Sequence, residues 1–159
     1  FQAMHPNYRI QPITEENIAL AKEMVDAWYT NRQQTDPDGD YLLEIRALNR
    51  AFAHYGALGM EGILLTDEDE ILAVTMGSPM QADTFDIHFE KAREDVDGAY
   101  AAVNCEFARY LRLKYPNVKY LNREDDLGIP GLRKAKLSYH PDHLAEKYWA
   151  RLWEDEDVC

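Results

Sequence analysis

Residues 120–141 hold the densest group of side chains in this chain that could do chemistry. A short apolar run ends there in five polar or charged residues, Asn122, Arg123, Glu124, Asp125 and Asp126. A Gly-Ile-Pro-Gly turn follows, then a short basic stretch that ends at Ser138 and Tyr139. Polar clusters on loops between rigid elements are common positions for functional residues, so this segment is the first candidate site.

These residue types suit the transfer of an acyl group to an amine or a hydroxyl. That reaction needs a base for the nucleophile's proton and donors that stabilise the oxyanion. Glu124 or Asp126 can act as the base or anchor a cationic acceptor, and Tyr139 can be the acid for the leaving group. The amide of Asn122 can bind either substrate, and Lys136 can stabilise developing negative charge.

A structural interpretation of the same segment remains open. Arg123 and Arg133 can simply pair with the neighbouring acids, and the turn at residues 128–131 can be no more than the entry to a helix. Clustered titratable groups indicate function only in a statistical sense. We therefore treat Arg123 as a candidate substrate-binding residue that has a structural alternative.

A second candidate lies on the strand predicted for residues 84–91. Alternation places Asp86, His88 and Glu90 on one face, where His88 can act as a base and Glu90 can orient it or bind an amine. The alternative is an ordinary solvent-facing side of an antiparallel strand. Both interpretations require the three side chains to share a face.

Three segments carry a resemblance to a known family. They read FDIHFEKA at residues 85–92, GAYAAVNCEFAR at 98–109 and YLNREDDLGIPGLRKAKLSYHP at 120–141. In this order they resemble bacterial proteins of unknown function related to the C-terminal domain of phosphatidylglycerol lysyltransferase. The resemblance covers about residues 60 to 150 well and the first sixty residues more loosely.

The resemblance implies an N-acetyltransferase-like (GNAT) fold of the α/β (α+β) class. Such a fold has a mixed, mostly antiparallel central sheet flanked by helices. It also implies an acyl- or aminoacyltransferase that takes its acyl group from acyl-CoA or aminoacyl-tRNA. Members are often one half of a tandem pair, so packing against an N-terminal GNAT-like half is expected. The alternative is a catalytically inactive binding or structural half of a larger protein.

The resemblance also implies a donor-binding loop before the long helix. In GNAT enzymes this loop reads Arg/Gln-x-x-Gly-x-Gly/Ala, and helix N-terminal amides there bind pyrophosphate. This chain keeps Arg93 and Gly98 as candidate cofactor-binding residues but has Val96 at the first glycine. Alternatively, Asp95 or Asp97 caps a helix and the loop holds no cofactor.

Periodicity predicts the elements that must position these residues. We expect helices at about residues 15–32, 41–55 and 97–115, with Thr14 as the first cap, and a small helix from Pro130. A hairpin is predicted from strands at 62–66 and 71–75, followed by strands at 84–91 and 118–121. Residues 144–153 form the predicted last strand, although a helix there remains open.

Length and composition predict one domain of residues 5–153. Residues 1–4 are expected to be a remnant of expression, and residues 154–159 an acidic tail. No apolar run approaches the roughly twenty residues of a membrane span, and no leader is recognised, so a cytoplasmic protein is expected. Two cysteines form no framework and have no histidine at metal-ligand spacing, so no metal is predicted.

The net charge of −12 disfavours nucleic acid as a partner, because such a surface repels phosphate backbones. We expect a small-molecule substrate. A homodimer stays open, and Tyr148, Trp149 and Trp153 could support an interface. The sequence shows no P-loop, dinucleotide fingerprint or Ser-His-Asp spacing.

Overall fold

The computed structural model describes residues 1–148 and 150 of the chain, which form two compact units. The first unit, Phe1–Glu124, contains a five-stranded sheet in the order β1-β2-β3-β4-β5. The strands are β1 (Arg9–Pro12), β2 (Glu61–Asp67), β3 (Glu70–Gln81), β4 (Thr84–Ala92) and β5 (Tyr120–Asn122). Neighbours pair antiparallel except β4 and β5, which are parallel. The predicted mixed, mostly antiparallel sheet is confirmed.

Two cores lie on opposite sides of this sheet. On one side pack α1 (Ile18–Thr35) and α2 (Leu42–Ala53), whose apolar stripes supply Val25, Tyr29, Leu48 and Phe52. On the other side packs α3 (Ala99–Lys114), the crossover between β4 and β5, through Val103, Phe107 and Leu111. The buried residues of each helix recur every three or four positions, as expected for one face of a helix.

The first helix begins later than predicted. Asn17, not Thr14, is the residue before α1, and its side chain holds the preceding turn. The Thr14 amide donates to Asn17 Oδ1 over 2.8 Å, and Asn17 Nδ2 donates to the Pro12 carbonyl over 2.9 Å. This local turn satisfies the polar groups that a helix starting at residue 15 would have used.

The prediction that Asp86, His88 and Glu90 share one face is wrong, because β4 contains a β-bulge. Met76 lies opposite Phe89 and Gly77 lies opposite Ile87, so His88 is the extra residue. An inserted residue reverses the faces of everything beyond it. Phe85 and Ile87 accordingly pack in the α3 core, whereas Phe89 packs against the α1–α2 core. Glu90 therefore faces α3 and does not share a face with Asp86.

The N-terminal residue Phe1 packs against other residues of the first unit. The Phe1 ring stacks on His5 with a centroid distance of 4.7 Å and meets Tyr8 edge-on at 5.3 Å. Phe1 also borders the α3 core and lies beside Gly98. The remnant assignment of residues 1–4 stays a prediction, although Phe1 has packing contacts.

The second unit begins at Asp125 and contains α4 (Pro130–Leu137). Pro130 stands at the start of this helix, as predicted. None of the described residues from 125 onward is buried. The predicted last strand is wrong over residues 144–148, which form no strand. Apart from Ala150, the rest of that predicted strand lies outside the described residues, and so do Trp149, Trp153 and the acidic tail.

Candidate functional site

A row of polar residues crosses three strands at one corner of the sheet. Ser78 of β3 pairs with Asp86 of β4, and Asp86 pairs with Asn122 of β5. Paired residues point to the same side, and this is the side opposite Phe85 and Ile87. The last residue of β3 that pairs with β2 is Gly77, so Ser78 lies just past the end of that pairing. The row is therefore at an open corner of the sheet.

His88 lies beside this row and contacts Ser78 through one ring nitrogen and Glu124 through the other. Nε2 is 2.9 Å from Ser78 Oγ, and Nδ1 is 3.0 Å from Glu124 Oε1. Asp86 Oδ2 lies 3.7 Å from the same Nδ1. Since a carboxylate only accepts, Nδ1–H donates to Glu124, and Nε2 of the neutral ring is then free to accept the Ser78 hydroxyl proton.

The surroundings of His88 favour its protonated form. The hydrogen bond that His88 donates to Glu124 raises the pKa of His88 most. Partial burial opposes that rise, and the charges of Asp86 and Glu124 add to it. About 30% of the His88 side chain is exposed, so a ligand can reach it. The arrangement can accept a proton and then stabilise the resulting imidazolium.

Asn122 positions Glu124 toward the histidine. Its Oδ1 accepts a hydrogen bond of 3.1 Å from the Glu124 amide, which closes a local turn. Glu124 has a φ of 52°, in the left-handed region, and this redirects the chain after β5. The amide Nδ2 of Asn122 contacts Met80 Sδ at 3.8 Å, a weak acceptor that a better one can replace.

Glu90 and Arg123 form a separate pair. Glu90 Oε1 accepts from Arg123 Nη2 over 2.6 Å, and its other oxygen accepts from Asn104 of α3 over 3.2 Å. Only 8% of the Glu90 side chain is exposed. The pair therefore joins β4, the end of β5 and α3. The substrate-binding roles of both residues stay predictions.

In the predicted donor loop, Arg93 forms hydrogen bonds with two carboxylates. Arg93 donates to Asp95 over 2.7 Å and to Glu70 over 2.5 Å, and these bonds raise its pKa. Gly98 has a φ of 78°, and a Cβ there would lie 3.2 Å from Phe1 Cβ. A cavity of about 590 Å³ runs beside this loop along α1, lined by Met24, Trp28 and Ile71 among others, and does not include His88.

Three of the predicted site residues belong to the second unit and are described within it. Asp126 accepts from Arg133 and from the Gly128 amide, and these bonds lower the Asp126 pKa to about 2. Lys136 Nζ donates to the Asp125 carbonyl over 2.6 Å, and Tyr139 is exposed. The roles predicted for Asp126, Lys136 and Tyr139 stay predictions.

Ser78 and Asp86 were missed as site residues by the sequence analysis. The sequence pattern predicts Asp86 beside His88 without indicating a role for it, and Ser78 lies ten positions before the histidine. Alternation along β4 together with a count across the hairpin could have aligned Ser78 with Asp86. Ligand atoms of Asp86, His88 and Glu124 also lie within 4.8 Å of one another, a spacing that a divalent cation could bridge.

In the described part of the chain, no helix has the length and apolar character needed to cross a bilayer.

No curated protein matches the chain. Among solved structures, a conserved protein of unknown function from Bacteroides thetaiotaomicron VPI-5482 is 40% identical with a TM-score of 0.81. That match covers 90% of this chain and 47% of the other, so the chain spans about half the length of this relative.

Acetyltransferases share the fold at low identity. An aminoglycoside acetyltransferase from an uncultured soil metagenomic sample, solved with sisomicin, matches at 8% identity and a TM-score of 0.59, covering 93% of this chain and 98% of its own. AAC(6')-Iy with a bisubstrate CoA analogue matches at 8% identity and a TM-score of 0.58, covering 92% and 98%. These likenesses show the GNAT fold.

The family comparison covers nearly the whole chain. The family model described as phosphatidylglycerol lysyltransferase, C-terminal, matches residues 1–151. This range includes the sheet, all four helices and every candidate site residue described above. The chain therefore belongs to the phosphatidylglycerol lysyltransferase C-terminal family.

Proposed function

We propose that the chain is an acyltransferase domain that moves an acyl group from an activated donor to an amine or hydroxyl acceptor. His88 is the general base, and Glu124 and Asp86 are the positioning residues that hold its ring. The observation that carries this proposal is the imidazole held between Glu124 and the Ser78 hydroxyl at an open corner of the sheet. A base within hydrogen-bond reach of a hydroxyl and oriented by a carboxylate is the geometry that general-base catalysis requires.

The remaining side chains of the corner suit the rest of the reaction. The Asn122 amide can donate to the oxyanion that forms when the carbonyl is attacked, since its contact with Met80 is weak. Asp86 and Glu124 give the corner negative charge, which favours a cationic amine over a neutral alcohol as acceptor. The aminoglycoside acetyltransferase solved with sisomicin supports an amine acceptor by fold likeness only.

The donor is an acyl-CoA or an aminoacyl-tRNA. The structural neighbour solved with a bisubstrate CoA analogue supports the first by fold likeness. The carboxylates on Arg93 and the Phe1 side chain beside Gly98 leave less room for pyrophosphate at the predicted loop. The membership in a lysyltransferase family supports the second donor, whereas the net charge of −12 opposes tRNA binding.

The experiment compares donors and two histidine variants. The 159-residue chain is incubated with acetyl-CoA or lysyl-tRNA and a set of polyamine and aminoglycoside acceptors, and release of thiol or uncharged tRNA is measured. We expect transfer with one donor, and His88→Ala should reduce it by about 10²- to 10⁴-fold. The matched control is His54→Ala, an exposed histidine after α2, which should leave the rate unchanged.

The noncatalytic alternative makes a different prediction in the same assay. A binding or structural half would release neither product. An unchanged melting temperature with both CoA and charged tRNA would favour this alternative. A bound donor at a hundred times its dissociation constant stabilises the fold by about 2.7 kcal/mol. Equal rates for His88→Ala and the parent chain would remove His88 from the reaction.

A further inference from the structure

We infer that Ser78 is a nucleophile and that the chain transfers its acyl group through an acyl-serine intermediate. The inference rests on the proposed function and deepens it, because it adds a covalent step. It also predicts a second activity, slow hydrolysis of activated esters when no amine is present. The substrate class is an acyl group on a good leaving group, such as a thioester or an aryl ester.

The contacts around His88 follow the order nucleophile, base and orienting carboxylate. Ser78 Oγ lies 2.9 Å from His88 Nε2, and His88 Nδ1 lies 3.0 Å from Glu124 Oε1. Serine hydroxyls are weak nucleophiles unless a neighbouring base removes their proton, and this order of contacts supplies such a base. The same constellation occurs on unrelated folds, so it is recognised by geometry and not by sequence spacing.

The strand around Ser78 exposes its hydroxyl on one side and fixes its backbone on the other. Ser78 lies one residue past the end of the β2–β3 pairing and is only partly buried. Gly77 allows the close approach of β4, since a Cβ there would lie 1.9 Å from the Asp86 carbonyl oxygen. Pro79 follows where β3 no longer pairs with β2, a position that tolerates a residue without an amide hydrogen. The nucleophile is thus held firmly beside the base and remains accessible.

Both chemical steps balance. In the first, Ser78 Oγ attacks the carbonyl carbon while its proton passes to His88 Nε2. The bond to the leaving group then breaks, and the leaving group takes the proton from His88 as it departs. In the second, an amine or water loses a proton to His88 and attacks the acyl-serine. The new amide or acid leaves, and the proton returns to Ser78 Oγ. Glu124 stays ionised throughout and stabilises the imidazolium.

A purely structural Ser78 would make the same hydrogen bond. In that case the hydroxyl only holds the imidazole ring, and an acceptor attacks the donor directly. The two accounts differ in whether an acyl group becomes attached to residue 78. A measurement of covalent attachment therefore separates them.

The test uses p-nitrophenyl acetate as the probe and the whole 159-residue chain, with Cys105→Ser as background because Cys105 is an exposed thiol. We expect a burst of p-nitrophenolate of about one equivalent per chain, and one acetyl group located on Ser78 by peptide mass spectrometry. Ser78→Ala should lose both signals, and His88→Ala should slow acylation by about 10²- to 10⁴-fold. EDTA should change neither signal, since neither proposed step uses a metal.

Ser78→Cys is a second variant, which separates loss of the nucleophile in Ser78→Ala from a failure of that variant to fold. A thiol at residue 78 should accept the acetyl group as a thioester, so acylation should persist at this position. Absence of acetyl on residue 78 in both the parent chain and Ser78→Cys would overturn the inference, and so would full acylation in Ser78→Ala. Dependence of the burst on a metal would also overturn it.

A failure of the inference is distinguishable from a failure of the proposed function. If Ser78→Ala keeps the transfer rate of the parent while His88→Ala loses it, the base remains and the acyl-serine is wrong. If His88→Ala and Ser78→Ala both keep that rate, both proposals are wrong. Loss of transfer in both variants, with acetyl on Ser78 of the parent, supports both.

Discussion

The hydrogen bond from His88 to Glu124 decides at which pH the imidazole can accept a proton. The pKa of His88 is raised above its usual 6.5, first by this bond and then by the charges of Asp86 and Glu124. The neutral ring is the base, so the transfer rate should rise with pH, and its half-maximum should lie above 6.5. The contact between protonated His88 and Glu124 also stabilises the fold, and this stabilisation depends on pH in the opposite sense to the rate. It is complete below pH 6.5 and is lost as the pH rises through the pKa of His88 in the folded protein.

Glu124→Gln tests this relation. The amide keeps an acceptor for Nδ1–H but removes the charge, so the half-maximum of the rate should move to lower pH and the maximal rate should fall. Glu146→Gln is the matched control, because this exposed glutamate lies in the second unit and its loss should leave the profile unchanged. An identical pH–rate profile for Glu124→Gln would contradict the role of Glu124 as a positioning residue.

Residue types in the sequence predict part of the candidate site. His88, Glu124 and Asn122 were predicted because their types suit acid–base chemistry and oxyanion binding, and the structure brings His88 and Glu124 into contact. The pairing of His88 with Glu124 joins residues 36 positions apart, and Ser78 is brought in through strand pairing. Such contacts depend on register, which residue types alone do not specify.

The paired strands β3 and β4 place these residues, and Gly77 permits their close approach. A Cβ at residue 77 would lie 1.9 Å from the carbonyl oxygen of Asp86, which is backbone and cannot rotate away. Gly77→Ala must therefore separate the two strands beside Ser78 and His88. We expect a loss of about 1–3 kcal/mol in the free energy of unfolding, together with reduced acylation of Ser78.

Gly56→Ala is the control for this substitution. Nothing lies within 4 Å of a Cβ at residue 56, so alanine there should be neutral or slightly stabilising. Urea denaturation of both variants measures the difference. Equal stabilities for Gly77→Ala and Gly56→Ala would mean that β3 and β4 can separate without cost, contrary to their tight packing.

Among the elements, periodic ones were predicted well and irregular ones were not. The stripes of α2 and α3 repeat every three to four residues over at least 12 residues, and this period has one structural solution. The bulge at His88 has no such signal, because the alternation of Phe85, Ile87 and Phe89 looks continuous in the sequence. The two aromatic residues at its ends nevertheless pack in different cores.

On the scale of the whole chain, the packed interior is confined to residues 1–124. Both hydrophobic cores consist of residues from this unit, and none of the described residues after 124 is buried. The eight-residue α4 is too short to be a stable helix without tertiary contacts. The free energy that holds the fold together should therefore come almost entirely from the first unit.

A fragment of residues 1–128 tests this division and the second-unit residues together. It keeps Ser78, His88 and Glu124 but removes Lys136 and Tyr139. Since no apolar residue of the core is lost, we expect a cooperative thermal transition within a few degrees of the full chain's, as changes of about 1 kcal/mol produce. The p-nitrophenyl acetate burst should persist, because its nucleophile, base and carboxylate all remain. A folded fragment without a burst would assign Lys136 or Tyr139 a direct part in the chemistry, and a fragment that fails to fold would show that the second unit stabilises the first.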